Sequence, residues 1–256
     1  MLRNTSVIKG YVIAAKDGHL GTVSDFLFDD VTWLVRWLVV DTGTWLSGRK
    51  VLLPATVLGH LDSGRSEFSV RLTRQEVKDS PNIDTRRPVS RQMEASVYDY
   101  YGWSPYWTSG FYMGGYGYGL GYVPGTTGPV PLRESALREE NIAASRRGDD
   151  DPHLRSIQEV VGYHIHADDG EVGHVEDFLM EEADWSIHYL VVDTKNWWPG
   201  KKVLVSPRSV KDIDWTDNLV NLNVDRQRVK DSPAYDASTT VDRTYEQRYH
   251  SYYGEI

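Results

Sequence analysis

The run Asp17–Pro54, DGHLGTVSDFLFDDVTWLVRWLVVDTGTWLSGRKVLLP, returns at Asp169–Ser206 as DGEVGHVEDFLMEEADWSIHYLVVDTKNWWPGKKVLVS. Extended both ways, Gly10–Pro81 aligns with Gly162–Pro233 at a constant offset of 152 with no gap, and 30 of the 72 positions are identical. An ungapped match of that length is an internal repeat, so the chain is built from two copies of one module. In each copy Asp-Gly marks a tight turn followed by alternating apolar residues, the signal of a hairpin. Val31–Asp41 then places Trp33, Val35, Trp37 and Val39 on one face and Leu34, Leu38 and Val40 on the other. Apolar groups on both faces predict a strand covered from both sides.

Outward from this run, Val7–Ala15 reads as the strand that enters the hairpin. Arg49–Leu53 is a short strand stopped by Pro54, which has no N–H for a sheet ladder. Val57–Leu61 and Glu67–Leu72 form two more strands around Ser63-Gly64. Thr73-Arg-Gln-Glu76 has the form of a capping box opening a short helix that ends before Pro81. Short strands at close spacing predict a small barrel rather than a sandwich. The fold class is therefore all-β: two tandem small β-barrels with short helices, related by a pseudo-two-fold axis. The boundaries are 1–84 for the first barrel, 85–156 for an insert, 157–236 for the second barrel and 237–256 for a tail. A module of about 80 residues buries only roughly 60% of its unfolded surface. Neither copy is comfortable alone, so the barrels are expected to pack face to face.

The order of motifs, DGxxGxVxDFL, then LVVDT, then Gly-Arg/Lys-Lys-Val-Leu, then a closing KDSP, resembles the PRC-barrel family. That module occurs in the cytoplasmic part of the photosynthetic reaction centre H subunit and in the C-terminal half of a bacterial ribosome maturation factor. The resemblance covers both repeats and implies the tandem PRC-type barrel. It says little about function. The membrane helix that precedes the module in an H subunit and the companion barrel of the maturation factor have no counterpart in the motifs.

Lys and Arg total 28 against 37 Asp and Glu, a net charge of −9. Such a chain lacks the positive field that captures phosphate backbones, so nucleic acid and anionic membrane are not expected partners. The absence of cysteine removes thiolate catalysis, disulfides and Cys-ligated zinc. No stretch approaches the ~20 apolar residues of a membrane span, and the first residues lack a signal-peptide core. A cytoplasmic location is the plain expectation.

Tyr98–Tyr122, YDYYGWSPYWTSGFYMGGYGYGLGY, holds eight Tyr and seven Gly. One reading is an aromatic loop packed on the barrels. A second is a surface for self-association or a protein partner, with Tyr112, Tyr116, Tyr118 and Tyr122 as its contact residues, and a third is a flexible low-complexity segment. Pro131–Arg147 is expected to be a helix, with Glu early and Arg late to suit its dipole. The tail reads as a loose end.

Four acidic positions are shared by the copies: Asp17/Asp169, Asp25/Asp177, Asp41/Asp193 and Asp62/Asp214. They could serve acid–base chemistry or calcium, but Asp at turns and strand ends more often accepts backbone hydrogen bonds. Trp33/Trp185 and Trp45/Trp197 are read as packing residues rather than a ligand cage. His164, His166 and His174 occur only in the second copy, where the first has Val12, Ala14 and Thr22. On neighbouring strands they would face outward together, either as a divalent-metal patch or as three ordinary surface histidines. No nucleophile elbow, P-loop or HExxH pattern is present. The expected function is a non-catalytic scaffold or adaptor without a cofactor, in a stress- or envelope-associated setting, that binds a protein partner or forms a homo-oligomer. The alternative, from the family resemblance, is a soluble relative of the H subunit supporting photosynthetic electron transfer.

Overall fold

Asp-Gly turns and β-rich runs build the same curled sheet twice in the computed structural model. It describes residues 1–46, 48–62, 64–81, 91–103, 154–194, 201–236, 241 and 243–253. Module one runs β1 (Leu2–Asn4), α1 (Thr5–Ile8), β2 (Val12–Ala15), β3 (Gly18–Asp29), β4 (Leu34–Asp41), β5 (Lys50–Pro54), β6 (Leu58–Asp62), β7 (Glu67–Val70) and α2 (Arg74–Lys78). After α3 (Arg91–Tyr101), module two repeats the plan as β8 (Leu154–Ser156), α4 (Ile157–Val160), β9 (His164–Ala167), β10 (Gly170–Glu181) and β11 (Ile187–Asp193). It continues with β12 (Lys202–Val205), β13 (Val210–Asp214), β14 (Leu219–Leu222), α5 (Arg226–Asp231), β15 (Ala234–Tyr235) and α6 (Arg243–Tyr253).

The first sheet has the order β5-β4-β3-β2-β7-β6 and the second β13-β14-β9-β10-β11-β12-β15. In each, the strand that enters the hairpin also pairs in parallel with a strand from the end of the module, β2 with β7 and β9 with β14. This curls the sheets into half-barrels around Ile13, Phe26, Leu38 and Leu53 in one copy and Ile165, Phe178, Leu190 and Val205 in the other, all at most 2% exposed. The glycine of the DGxxG motif has a steric cause. A Cβ on Gly21 would lie 2.2 Å from the Asp41 carbonyl oxygen, and one on Gly173 would lie 2.1 Å from that of Asp193. Only a residue without a side chain lets the long strand approach its neighbour so closely.

Three local expectations change. Val7 and Ile8 lie in the helical turn α1, not in a strand. Val31 and Thr32 lie in a turn, because the Asp29 carboxylate accepts their backbone N–H groups at 3.0 and 2.8 Å. The tail contains a well-packed helix rather than a loose end. Tyr245, Tyr249 and Tyr253, spaced four apart on α6, bury their rings against Leu179, Tyr189, Val191 and Leu204. The Tyr249 hydroxyl accepts from Ser206 N at 2.7 Å, which supplies the partner a buried phenol needs. Burial pushes the Tyr245 phenol up to about 12.

Helix α6 also lengthens the repeat. At the same offset of 152, Arg91, Glu94, Tyr100, Tyr101 and Gly102 are matched by Arg243, Glu246, Tyr252, Tyr253 and Gly254, and α3 has the same bounds as α6. Each copy therefore extends past Pro81/Pro233. Contacts divide the chain into one unit of Met1–Pro88 with His153–Ile256, holding both sheets, and a second of Val89–Pro152. In the second unit α3 ends with Trp103 N donating to Tyr98 O at 2.9 Å and with Tyr101 stacked on Trp103. The capping box forms as read: Glu76 N donates to Thr73 Oγ1, and Thr73 N donates to Glu76 Oε2 at 2.7 Å. No helix among the described residues is long and apolar enough to cross a membrane.

Candidate functional site: the seam between the modules

The two modules exchange their first strands. β1 of module one pairs antiparallel with β10 of module two, Leu2 opposite Glu181 and Asn4 opposite Leu179. β8 of module two pairs in the same way with β3 of module one, Leu154 opposite Asp29 and Ser156 opposite Leu27. Every partner in one pairing is the offset image of its counterpart, which is the pseudo-two-fold axis expressed in hydrogen bonds. On that axis Val35 N donates to Trp185 O at 2.9 Å and Ile187 N donates to Trp33 O at 2.8 Å. Trp33 and Trp185 take left-handed backbone angles, φ 57° and 63°. That conformation is costly for a bulky residue, and here the crossed bonds hold it. Arg155 pairs with Asp30 at 2.6 Å, and Arg3 pairs with Glu182 in the image contact. Phe28 and Phe178 approach to 5.6 Å between ring centres and Phe68 and Trp185 to 5.7 Å, so apolar surface is shared as well.

Two buried carboxylates sit at the centre of the exchange. Asp177 accepts from Thr5 Oγ1 at 2.7 Å, Ser6 N at 3.2 Å, Asn4 Nδ2 at 2.9 Å and Ser6 Oγ at 2.5 Å. Its image Asp25 accepts from Ser156 Oγ at 2.5 Å and Gln158 N at 3.0 Å. Each also takes the N–H of the following Phe. The carboxylate thus receives the first turn of the other module's helix, where free N–H groups and the helix dipole favour negative charge. Burial pushes the Asp25 carboxyl up from its usual range, and the hydrogen bonds from Ser156 and Gln158 pull the other way.

Five of the other six shared acids hold local structure. Asp17 and Asp169 each accept the first backbone N–H of the closing helix, from Arg74 and Arg226, both at 2.8 Å. The bond from Arg226 N, opposed by slight desolvation, lowers the Asp169 carboxyl. Asp41 takes Gly43 N, Asp62 takes Gly64 N and Arg65 N, and Asp214 takes Thr216 N and Asp217 N. Asp25 and Asp177 differ from the expected turn positions, because both lie inside long strands at a register shift. Trp45 is half-buried, with its indole N–H on Leu20 O and the Arg74 guanidinium over its ring at 4.4 Å. Trp197 lies outside the described residues, as do Tyr112, Tyr116, Tyr118, Tyr122 and the helix expected over 131–147.

The three histidines stand on the outer face as read, with Ile165 and Val175 buried between them. His174 lies opposite His164 in the β9–β10 register. His164 Nδ1, however, engages Glu171 Oε1 at 2.9 Å. Among the described residues no group of three or more His, Asp or Glu is arranged to hold a metal ion. The geometry therefore does not converge His164, His166 and His174 on one ion. The latch donors Asn4, Thr5, Ser6, Ser156 and Gln158 were not singled out from sequence. The available signal was Leu2-Arg3 matched by Leu154-Arg155, which carries the repeat upstream of Gly10.

A cleft of about 180 Å³ opens beside the Asp177 latch, between Val7 of module one and Val191 and Lys202 of module two. Lys202 Nζ donates to Glu176 Oε1 at 2.5 Å in its wall. A search of curated proteins returned no match. The family model for the PRC-barrel domain matches residues 1–76 and again residues 154–226, each match starting at or close to an exchanged strand. With more than half its length covered by two such matches that coincide with the two half-barrels, the chain belongs to the PRC-barrel domain family.

Proposed function

We propose that this tandem PRC-barrel protein is a non-catalytic scaffold or adaptor that offers a fixed pair of modules to protein partners. The observation that carries this reading is the reciprocal exchange of β1 and β8, latched by Asp177 and Asp25. Strand exchange sets the distance and orientation of two similar surfaces, which is what a scaffold requires and a single-site enzyme does not. Seven of the eight shared carboxylates, the first candidates for acid–base chemistry, accept from backbone amides or from the neighbouring module. Tyr98–Tyr122 supplies aromatic side chains of the kind that anchor protein interfaces, each a large apolar face with a polar tip. A stress-related cellular setting is part of the same proposal.

The test compares the full chain with one lacking Gly110–Gly121, by affinity capture from the native cell and by light scattering of the pure proteins. The expected outcome is an unchanged thermal midpoint with a lost partner or a smaller assembly. Unfolding of the barrels on deletion would make the segment a structural seal. An unchanged partner set and unchanged assembly would reduce it to a spacer, and either result removes the support for an adaptor.

A further inference from the structure

The seam between the modules is made of matched halves. Each module brings a first strand to give and a long strand to receive. The residues that build both agree at Leu2/Leu154, Arg3/Arg155, Asp25/Asp177 and Trp33/Trp185. An interface in which each side carries the same surface is isologous, and it closes with any copy that presents that surface. The chain has no cysteine, so the stretch 82–153 is the covalent link between the two modules. The crossed bonds, ion pairs and latches all run from one module to the other, and a module two from another chain satisfies module one equally well. The same contacts distinguish unlike modules from like ones. Thr5 Oγ1 donates to Asp177 at 2.7 Å, and the image of Thr5 is Ile157, which has no hydroxyl. Tyr235 Oη donates to Asn4 Oδ1 at 2.9 Å, and the image of Tyr235 in the sequence is Ile83. Two copies of module two together lose the first bond, and two copies of module one lose the second. Pairing of one with two is therefore preferred.

We propose that the seam also closes between two copies of this chain, module one of each molecule pairing with module two of the other in a two-fold exchanged dimer. The preference for unlike modules closes this exchange after two chains, so it does not run on into a filament. The dimer has two seams with the same contacts as the seams of two separate molecules. The balance between the forms is then set by the connection alone. A tether such as the stretch 82–153 gives the internal partner an effective concentration on the order of 1 mM, and the dimer competes as the protein approaches that concentration. Interconversion requires a seam to open, so the two forms are separable on a column. The proposal stands on the seam and does not rest on the adaptor reading.

The experiment refolds the full chain from urea and measures mass by light scattering behind gel filtration. Dimer is expected in a few per cent of chains at about 10 µM and in about half of them at about 1 mM. Two single-cysteine variants identify the surface. Glu182 N donates to Met1 O, so Leu2 and Glu181 form the adjacent non-hydrogen-bonded pair. The Cα atoms of such a pair lie about 4.5 Å apart, inside the range of about 4.4–6.8 Å that a disulfide spans. Leu2→Cys and Glu181→Cys chains, mixed in urea, refolded together and oxidised, should give a covalent heterodimer. The doubly substituted chain should close the same bond within a monomer. Asp177→Ala weakens the seam alike in both forms, so it should leave the dimer fraction unchanged and speed interconversion by about tenfold or more. A chain that stays monomeric at about 1 mM overturns the proposal. So does a dimer that yields no mixed disulfide while the doubly substituted chain closes its own, or a dimer whose rate of exchange is unchanged by Asp177→Ala.

Discussion

Replacing Asp177 by Ala removes the acceptor that ties module one to module two, and the structure sets the size of the effect. Five donors converge on this carboxylate: Thr5 Oγ1, Ser6 N, Ser6 Oγ, Asn4 Nδ2 and Phe178 N. Ser6 is exposed and Asn4 half-buried, so water can replace much of what they lose. Thr5 is 2% exposed and Phe178 0%, so their donors are left buried without a partner. Each such donor costs about 1–3 kcal/mol. The expected destabilisation is therefore roughly 2–6 kcal/mol, centred near 4, in urea unfolding followed by circular dichroism. Faster amide exchange should be confined at first to β1 and its partner residues on β10. The decisive variant is Thr5→Val in the Asp177→Ala background. Removing both partners of a buried bond is far less harmful than removing one, so the double variant should recover about 1 kcal/mol or more of coupling. A cost below about 1 kcal/mol for Asp177→Ala, or no recovery with Thr5→Val, would show that the latch does not hold the modules together.

Gly21→Ala and Gly173→Ala place a Cβ 2.2 and 2.1 Å from a backbone carbonyl oxygen, so each should cost more than about 3 kcal/mol or prevent folding in a thermal melt. Tyr249→Phe leaves Ser206 N without its acceptor and should lower stability by about 1–3 kcal/mol, with exchange at α6 accelerated in hydrogen-exchange mass spectrometry. The Tyr245 phenol is raised from the ordinary 10 to about 12 by burial. The neutral form is thus favoured by the fold, its contribution is complete below pH 10, and it is lost as pH climbs from 10 through about 12. Alkaline unfolding of α6 should follow that window, and Tyr245→Phe should flatten it. Asp25→Asn should be milder than Asp25→Ala, because burial already disfavours the charge while the amide oxygen still accepts from Ser156.

The strands, the Asp-Gly turns and the Thr73 capping box were legible because each is decided by residues within a few positions of one another. The repeat was legible because its offset never changes. The seam was not, since β1 and β8 are three residues each and too short to show a period, and Thr5 and Asp177 lie 172 residues apart. Val7–Ile8 looked like strand by composition, yet the pull of Asp177 on Ser6 N turns that stretch into a helical turn, a tertiary preference overriding a local one. Helix α6 was hidden by its polar outer face. Its four-residue tyrosine spacing was present in the sequence, and only the buried side against β11 and β12 gives it meaning. The three histidines shared a face as their alternation implied, but facing outward together does not bring ring nitrogens to one point.

Strand exchange also sets a timetable for synthesis. The long strand β3 is complete at Asp29, but the strand that pairs with its far end begins at Leu154, 125 residues later. At about 5–20 residues per second, Asp25 waits roughly 7–27 s on the ribosome for Ser156 and Gln158. β1 waits longer still, until Glu181 has emerged. During that interval module one presents an unpaired strand end and an unanswered buried acid, the kind of surface that chaperones cover. Whatever slows elongation between Asp29 and Leu154 lengthens that exposure, so codon choice in the insert bears directly on how much of this protein reaches its native state.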